Sequence, residues 1–128
     1  MRIFLALIFL CINSFADSPK KITYSLSYHE LTTQLDHFGD LLQQARAIKV
    51  TENSKVKGYQ LVEIQPGSLL TKMHIVNRDI ILKLDGKRPT NVIHELQDLQ
   101  AIKAKTKKSL EVLIERSGKE LIFHYDIH

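Results

Sequence analysis

The chain is short and contains only one cysteine. Its single cysteine, Cys11, lies in the N-terminal apolar run, so a mature chain without that run has no thiol and no disulfide. A disulfide framework is therefore excluded, and stability must come from packing. The 128 residues, of which 44% are hydrophobic, allow one domain with a modest core and leave little room for two.

The first sixteen residues have the pattern of a secretory signal peptide. Arg2 precedes the apolar run Ile3–Ile12, and the small residues Ser14 and Ala16 stand at minus three and minus one before Asp17. We expect cleavage after residue 16 and export of the remaining chain. An uncleaved membrane anchor is the alternative, but the apolar run supplies about half of the ~20 residues that a spanning helix needs.

The exported part carries a mild positive charge. Loss of Arg2 with the signal peptide lowers the formal net charge from +4 to +3. The densest group of cations, Lys103–Lys108, is interpreted as a solvated loop, and weak contact with anionic lipid or an acidic protein surface is its alternative. Aromatic side chains do not alternate with these lysines, so nucleic acid is not an expected partner.

The sequence after the signal peptide predicts three parts. The polar stretch 17–26 predicts a flexible leader. Ser27 and Glu30 then fit a capping box, from which a helix is predicted to about His37 and a second helix to about Ala45. This helical segment, 27–46, is expected to pack on a domain formed by residues 47–128.

The domain itself predicts five strands and two helices. Ser68 is positioned to cap a short helix over Leu69–Met73, and Thr90 to cap a longer helix over Asn91–Ala101. Alternating or continuous apolar residues predict the strands Ala47–Thr51, Val56–Ile64, Asp79–Leu84, Ser109–Glu115 and Glu120–Asp126. This order predicts an α+β fold, in which helices cap a partly closed antiparallel β-sandwich or barrel.

Four short motifs occur in an order and spacing that carry a resemblance. They are Gly58-Tyr59-Gln60-Leu61, Pro66-Gly67-Ser68-Leu69, Asp79-Ile80-Ile81 and Leu84-Asp85-Gly86. With the helix and hairpin that follow, the chain resembles a bacterial PDZ domain. The upstream residues 41–47 make it most similar to the periplasmic PDZ domain of type II secretion system protein C. The resemblance spans roughly Ile22 to His128 and implies a periplasmic location, or an inner-membrane anchor facing the periplasm.

One turn departs from the family pattern. The related segment usually reads Gly-Leu-x-x-Gly-Asp, whereas His74 and Arg78 stand in the two glycine positions here. A residue with a side chain resists positive φ, which Asn77 tolerates better than its neighbour. We therefore expect either a shifted turn or a strained Arg78.

The resemblance implies recognition of a peptide or protein without a cofactor. The partner would add a strand to the sheet edge Ala45–Thr51, beside a groove bounded by the helix Asn91–Ala101. Ile48, with apolar residues of the helix, would line its floor. The expected binding residues are Arg46, Ala47, Ile48, Lys49, Val50, Val92, Ile93, His94, Leu96 and Gln97. The entry to this strand has no glycine, so tight capture of a free carboxyl terminus is not expected, although Arg46 could pair with a carboxylate.

No residue pattern predicts catalysis or a metal site. His124 and His128 are four residues apart, about 13 Å along a strand, which is too far to share a metal easily. Ser68 and Ser109 have no evident base or oxyanion motif nearby. The leading interpretation is a non-catalytic adaptor of type II secretion that contacts exported substrates or machine components. A regulator of a periplasmic protease and a homo-oligomer joined through its edge strand are the alternatives, and the oligomeric state stays open.

Overall fold

The computed structural model describes residues 18–36, 43–88 and 108–128, and only the backbone of residues 35 and 36. The predicted signal peptide, the helix Asn91–Ala101 and the cluster Lys103–Lys107 lie outside these residues. The elements in chain order are β1 Lys20–Leu26, α1 Tyr28–Asp36, β2 Arg46–Glu52, β3 Lys55–Val62, α2 Leu69–Lys72, β4 Ile80–Leu84, β5 Ser109–Arg116 and β6 Lys119–Ile127.

The strands form one six-stranded sheet with the order β1-β6-β5-β4-β3-β2. Strands β2 to β6 pair antiparallel, whereas β1 runs parallel to β6, with Ile22 opposite Phe123. The predicted α+β fold is confirmed, but the sheet is mixed rather than purely antiparallel. Within the described part of the chain, no pairing of β1 with β2 closes it, and these two strands form its edges.

Strand β1 corrects the expectation of a flexible leader over residues 17–26. Its side chains alternate between exposed and inward positions, and Leu26 is buried while Ile22 and Tyr24 pack against the core. This alternation of apolar and polar residues is a strand pattern that was visible in the sequence. The two lysines favour a solvated leader, but they lie on the exposed end of the strand.

Helix α1 begins where the capping box predicts. The backbone N–H of Glu30 donates to Ser27 Oγ at 3.3 Å, and Leu31 is buried on the inward face. The helix ends at Asp36, close to the predicted His37. The second helix predicted to Ala45 is wrong for residues 43–45, which form a turn leading into β2, and its earlier part lies outside the described residues.

The core lies on one face of the sheet. Ile114, Phe123 and Tyr125 are fully buried at its centre, because inward and outward side chains alternate along β5 and β6. Strand β3 approaches β4 closely at Gly58, where an added Cβ would lie 2.3 Å from the carbonyl oxygen of Ile81. Only glycine allows this approach, which fixes the outer strands β3 and β2 against the centre of the sheet.

The turn between α2 and β4 adopts positive φ at the two positions where the related sequence pattern has glycine. His74 adopts φ of 66° and Arg78 φ of 78°, so both non-glycine residues occupy the left-handed region. Of the two expected outcomes, a shifted turn or a strained Arg78, the structure has the strained Arg78. The side chain of Asn77 instead accepts a hydrogen bond from the backbone N–H of Ile64 at 2.9 Å, which ties the turn to the end of β3.

Replacement of Arg78 by glycine is expected to stabilise the domain by about 0.5–1 kcal/mol. Release of left-handed strain gains about 1–2 kcal/mol, and the greater freedom of glycine in the unfolded chain offsets about 0.5–1 kcal/mol of it. The Arg78 side chain is exposed and has no hydrogen bond or ion pair with the described residues, so little else changes. Urea unfolding of the variant and the parent chain measures the difference.

His74→Gly is the matched control for this prediction. It relieves a similar backbone angle but removes a ring that stacks on Tyr24 with 3.8 Å between centroids. We expect no net stabilisation from this variant. Equal stabilisation by both glycine variants would show that the stacked ring contributes nothing.

Candidate partner-binding edge

Strand β2 forms one free edge of the described sheet. Among the described residues it pairs only with β3, in a register that places Ala47 opposite Leu61 and Lys49 opposite Tyr59. The backbone N–H and C=O groups on the outer side of an edge strand can bind another strand. The position of β2 therefore matches the geometry that strand addition requires.

The two faces of β2 differ in burial. Ala47 packs against the core, whereas the next residue, Ile48, points to the opposite face and is 38% exposed. The helix 91–101 that would bound the predicted groove lies outside the described residues, so the position of Ile48 on the groove floor stays a prediction. Val50 is half-buried on the same face as Ile48, so an apolar stripe lies along the outer face of the edge.

Two exposed cations and one exposed acid, Glu52, lie on this edge strand. Arg46 and Lys49 are exposed and have no ion pair with any residue that the structure describes. Lys57 on β3 is already engaged, because its ammonium lies 2.9 Å from a carboxylate oxygen of Glu115 and 3.4 Å from one of Glu52. The hydrogen bond with Glu115, more than that with Glu52, raises the pKa of Lys57. Lys57 is therefore less available to a partner than Arg46 and Lys49 of β2.

The turn that enters β2 is fixed by Gln44. Its carbonyl oxygen accepts from the backbone N–H of Gln65 at 2.8 Å, and its side-chain oxygen accepts from the N–H of Leu69 at 3.0 Å. Its side-chain nitrogen donates to Gln34 at 3.0 Å. One residue thus links β2 to the start of α2 and to α1, a role that a glutamine in a polar stretch does not reveal in the sequence.

Half of the predicted binding residues lie on this edge. The structure brings Arg46, Ala47, Ile48, Lys49 and Val50 together on β2. The helix residues Val92, Ile93, His94, Leu96 and Gln97 lie outside the described residues. The groove between strand and helix therefore stays a prediction.

A buried ion pair holds the left-handed turn between α2 and β4. Asp79 is 1% exposed and accepts from Arg116 through both oxygens, at 2.9 Å from Nε and 2.8 Å from Nη2. The same Nη2 donates to the carbonyl oxygen of His74 at 3.0 Å, and the N–H of Val76 donates to the carboxylate at 2.9 Å. The hydrogen bond with Asp79 raises the pKa of Arg116 against the opposing effect of burial.

Aromatic rings connect this turn to β1. The ring of Tyr24 stacks on His74 and meets Phe123 edge-on at 5.3 Å between centroids. The Tyr125 hydroxyl donates to the carbonyl oxygen of Met73 at 2.7 Å, and burial raises the pKa of this tyrosine. These contacts join the turn to β1 and β6, so the cluster stabilises the scaffold.

The carboxylates around His124 do not converge on one point. His124 lies between Glu111 and Asp126, but each carboxylate faces a different ring nitrogen, at 3.3 and 3.1 Å. Across residues 18–36, 43–88 and 108–128, no three His, Cys, Asp or Glu side chains form a group that could hold a metal ion. No helix within those ranges has the length and apolar character needed to cross a membrane.

Comparison with solved structures relates this fold to PDZ domains. The chain is similar to the PDZ domain of EpsC from Vibrio cholerae, residues 204–305, with a TM-score of 0.53 and 16% identity, covering 77% of this chain and 91% of that one. A shorter piece of the same EpsC domain, residues 219–305, aligns with a TM-score of 0.46 and 19% identity, over 67% and 97% of the two chains.

A third solved structure is the PDZ domain of the pullulanase C protein of the type II secretion system from Klebsiella pneumoniae, in complex with a fatty acid. It has a TM-score of 0.46 and 18% identity, over 75% of this chain and 98% of that one. No protein-family model and no curated protein matches the sequence. The similarity to the longer EpsC domain confirms the predicted fold: this chain has the fold of a bacterial PDZ domain.

Proposed function

We propose that this chain is an exported, non-catalytic PDZ module that binds a protein segment by strand addition to β2. The observation that carries the proposal is the position of β2, an edge strand whose outer backbone side is open in the described sheet. Main-chain hydrogen bonds would supply affinity, and side chains at alternate positions would supply selectivity. The hydrogen bonds of Gln44 hold the entry of this strand in place before the partner arrives.

The proposed biological role is that of an adaptor in type II secretion in the periplasm. Its support is the resemblance of the sequence motifs to protein C of that system, together with the fold shared with the EpsC domain. The partner would then be an exported substrate or a component of the secretion machine. No step of this role requires a cofactor.

Charge on both sheet edges argues against self-assembly through the edges. Lys20 and Lys21 lie exposed on β1, and Arg46 and Lys49 lie exposed on β2. Two copies that met edge to edge would bring cations together, and charged edge residues discourage such pairing. A partner of different charge fits β2 better than a second copy does.

Reversal of both β2 charges tests the proposed site. The variant Arg46→Glu with Lys49→Glu is expected to retain the fold, because both side chains are exposed, and to bind its partner about tenfold more weakly. The experiment captures partners from a periplasmic extract with residues 17–128 and then measures their affinity. Recovery of a secretin or exported proteins supports the secretion role, whereas recovery of a protease supports a regulator of proteolysis.

The matched control is Lys20→Glu with Lys119→Glu. These cations are also exposed, and neither has an ion pair among the described residues. Because two cations are again replaced by glutamate, the net charge changes by the same amount as in the β2 variant. The control variant should bind like the parent chain. If the folded β2 variant binds as tightly as the control, β2 is not the site.

A further inference from the structure

We infer that the segment bound at β2 is acidic and carries two carboxylate side chains three positions apart, with an apolar residue between them. This inference rests on the proposed strand addition and deepens it by naming the chemistry of the partner. It follows from three exposed residues of the edge, Arg46, Ile48 and Lys49, from their spacing and from the face of the sheet on which each lies.

The two cations lie at the ends of a short stretch and on opposite faces. A rise of about 3.3 Å per residue places the Cα atoms of Arg46 and Lys49 about 10 Å apart along the strand. Ala47, on the same face as Lys49, packs against the core, and Arg46 shares the other face with Ile48. The register shift in β2 comes only after Val50, so this alternation holds through the stretch.

A single terminal carboxylate cannot serve both cations. A carboxylate beside Arg46 would leave Lys49 about 10 Å away, on the other face of the added strand. Two side-chain carboxylates three positions apart meet both, because residues three apart on a strand also point to opposite faces. The site therefore favours an internal acidic segment over a carboxyl terminus.

The residue between the carboxylates that lies opposite Ile48 should be apolar. Ile48 is 38% exposed, and cross-strand neighbours on one face of a sheet lie about 5 Å apart. An apolar partner side chain would remove this exposed surface from water. A partner strand that runs antiparallel to β2 begins opposite Lys49 and ends opposite Arg46. Its sequence in that direction is acidic, apolar, any residue, acidic.

The charges of β2 are not neutralised by the nearest acidic residue on the strand. Glu52 lies at the end of β2, and its carboxylate is 3.4 Å from the ammonium of Lys57. The stretch 46–49 therefore has two positive charges and no carboxylate partner in the described residues. Complementary charge on the partner would speed association and select against neutral or basic segments.

Three peptides of about twelve residues, blocked at both ends, test the inference. The first contains Glu-Ile-Thr-Glu, the second contains Glu-Ile-Glu-Thr with the same composition, and the third replaces both glutamates of the first by glutamine. Each is titrated into isotope-labelled 17–128, and the amide shifts of β2 report binding. Because each cross-strand pair contributes modestly, we expect the first peptide to bind about fivefold more tightly than the other two.

The advantage of the first peptide should shrink as salt rises from about 50 to about 500 mM, because salt screens exposed charges. Against Arg46→Glu with Lys49→Glu, a version of the first peptide with lysine for glutamate should become the tighter ligand. Equal binding of all three peptides at β2 would overturn the acidic spacing and leave strand addition standing. If no peptide shifts β2 at about 1 mM, or if shifts map elsewhere, strand addition and the acidic inference both fail.

Discussion

A chain that begins at Ser27 is expected to lose its cooperative unfolding transition. The truncation removes β1, and with it the burial of Leu26 and the partial burial of Ile22 and Tyr24. Burial of one large apolar side chain contributes about 1.5–3 kcal/mol, so the three together account for about 5 kcal/mol. This is comparable to the whole stability of a small domain.

The truncation also opens the centre of the core. Strand β1 lies beside β6 over its full length, and the Tyr24 ring contacts those of Phe123 and Tyr125. The last strand would become an edge with aromatic residues at its border, which favours aggregation. Loss of β1 therefore affects solubility as well as stability.

A chain that begins at Lys20 is the control, since it keeps β1 and removes only the residues before it. It should unfold like residues 17–128 in urea, followed by circular dichroism and by tyrosine fluorescence. The truncation at Ser27 should give a sloping curve with no transition. A cooperative transition of unchanged midpoint in that chain would mean that β1 is a dispensable leader after all.

Replacement of Arg116 by methionine is expected to destabilise the domain by about 3 kcal/mol. The change leaves the carboxylate of Asp79 buried at 1% exposure without its guanidinium partner, and it removes a donor from the carbonyl oxygen of His74. Breaking one side of a buried ion pair costs about 3–5 kcal/mol. We expect the lower end of this range because the Arg116 side chain is 34% exposed. Water can therefore reach the site and replace part of the lost hydrogen bonding to Asp79.

The conservative variant Arg116→Lys separates charge from geometry. Lysine retains the positive charge but cannot form the two parallel hydrogen bonds that the guanidinium makes with both oxygens of Asp79. It should recover only part of the loss. Lys72→Met removes an exposed cation whose ammonium lies 4.0 Å from Glu30, and this surface change should leave urea unfolding nearly unaltered. Equal stability of the Arg116→Met and Lys72→Met chains would contradict a stabilising role for the buried pair.

Local rules predicted the beginnings of both described helices. Ser27 caps α1, and Ser68 caps α2 by accepting from the N–H of Thr71 at 3.4 Å. Each of these signals involves atoms only a few residues apart, so the neighbouring sequence is sufficient to determine it. The C-terminal hairpin follows in the same way, since Ser117 and Gly118 both take the positive φ that a tight two-residue connection requires.

Such local rules do not predict contacts between residues that are far apart in the sequence. Nothing near Arg116 in the sequence indicates Asp79, which is 37 residues away, and nothing near Tyr24 indicates His74. The alternation of apolar and polar residues in β1 indicates a strand, whereas the two lysines at its start favour a solvated leader. Its partner, β6, is about a hundred residues away, so no residue near β1 in the sequence indicates which strand it pairs with.

The sequence alone determined the α+β class and most of the strands, because hydrophobic periodicity and turn residues act between neighbours along the chain. The order of the short motifs carried the resemblance to a PDZ domain, and β2 as a binding edge is what that resemblance implies. Only the tertiary structure decided that β1 completes the sheet, that Ala47 rather than Ile48 faces the core, and that Arg46 and Lys49 have no carboxylate partner in the described residues. Those facts depend on which distant segments of the chain pack together, because that packing sets burial, the face on which each side chain lies and the ion pairs.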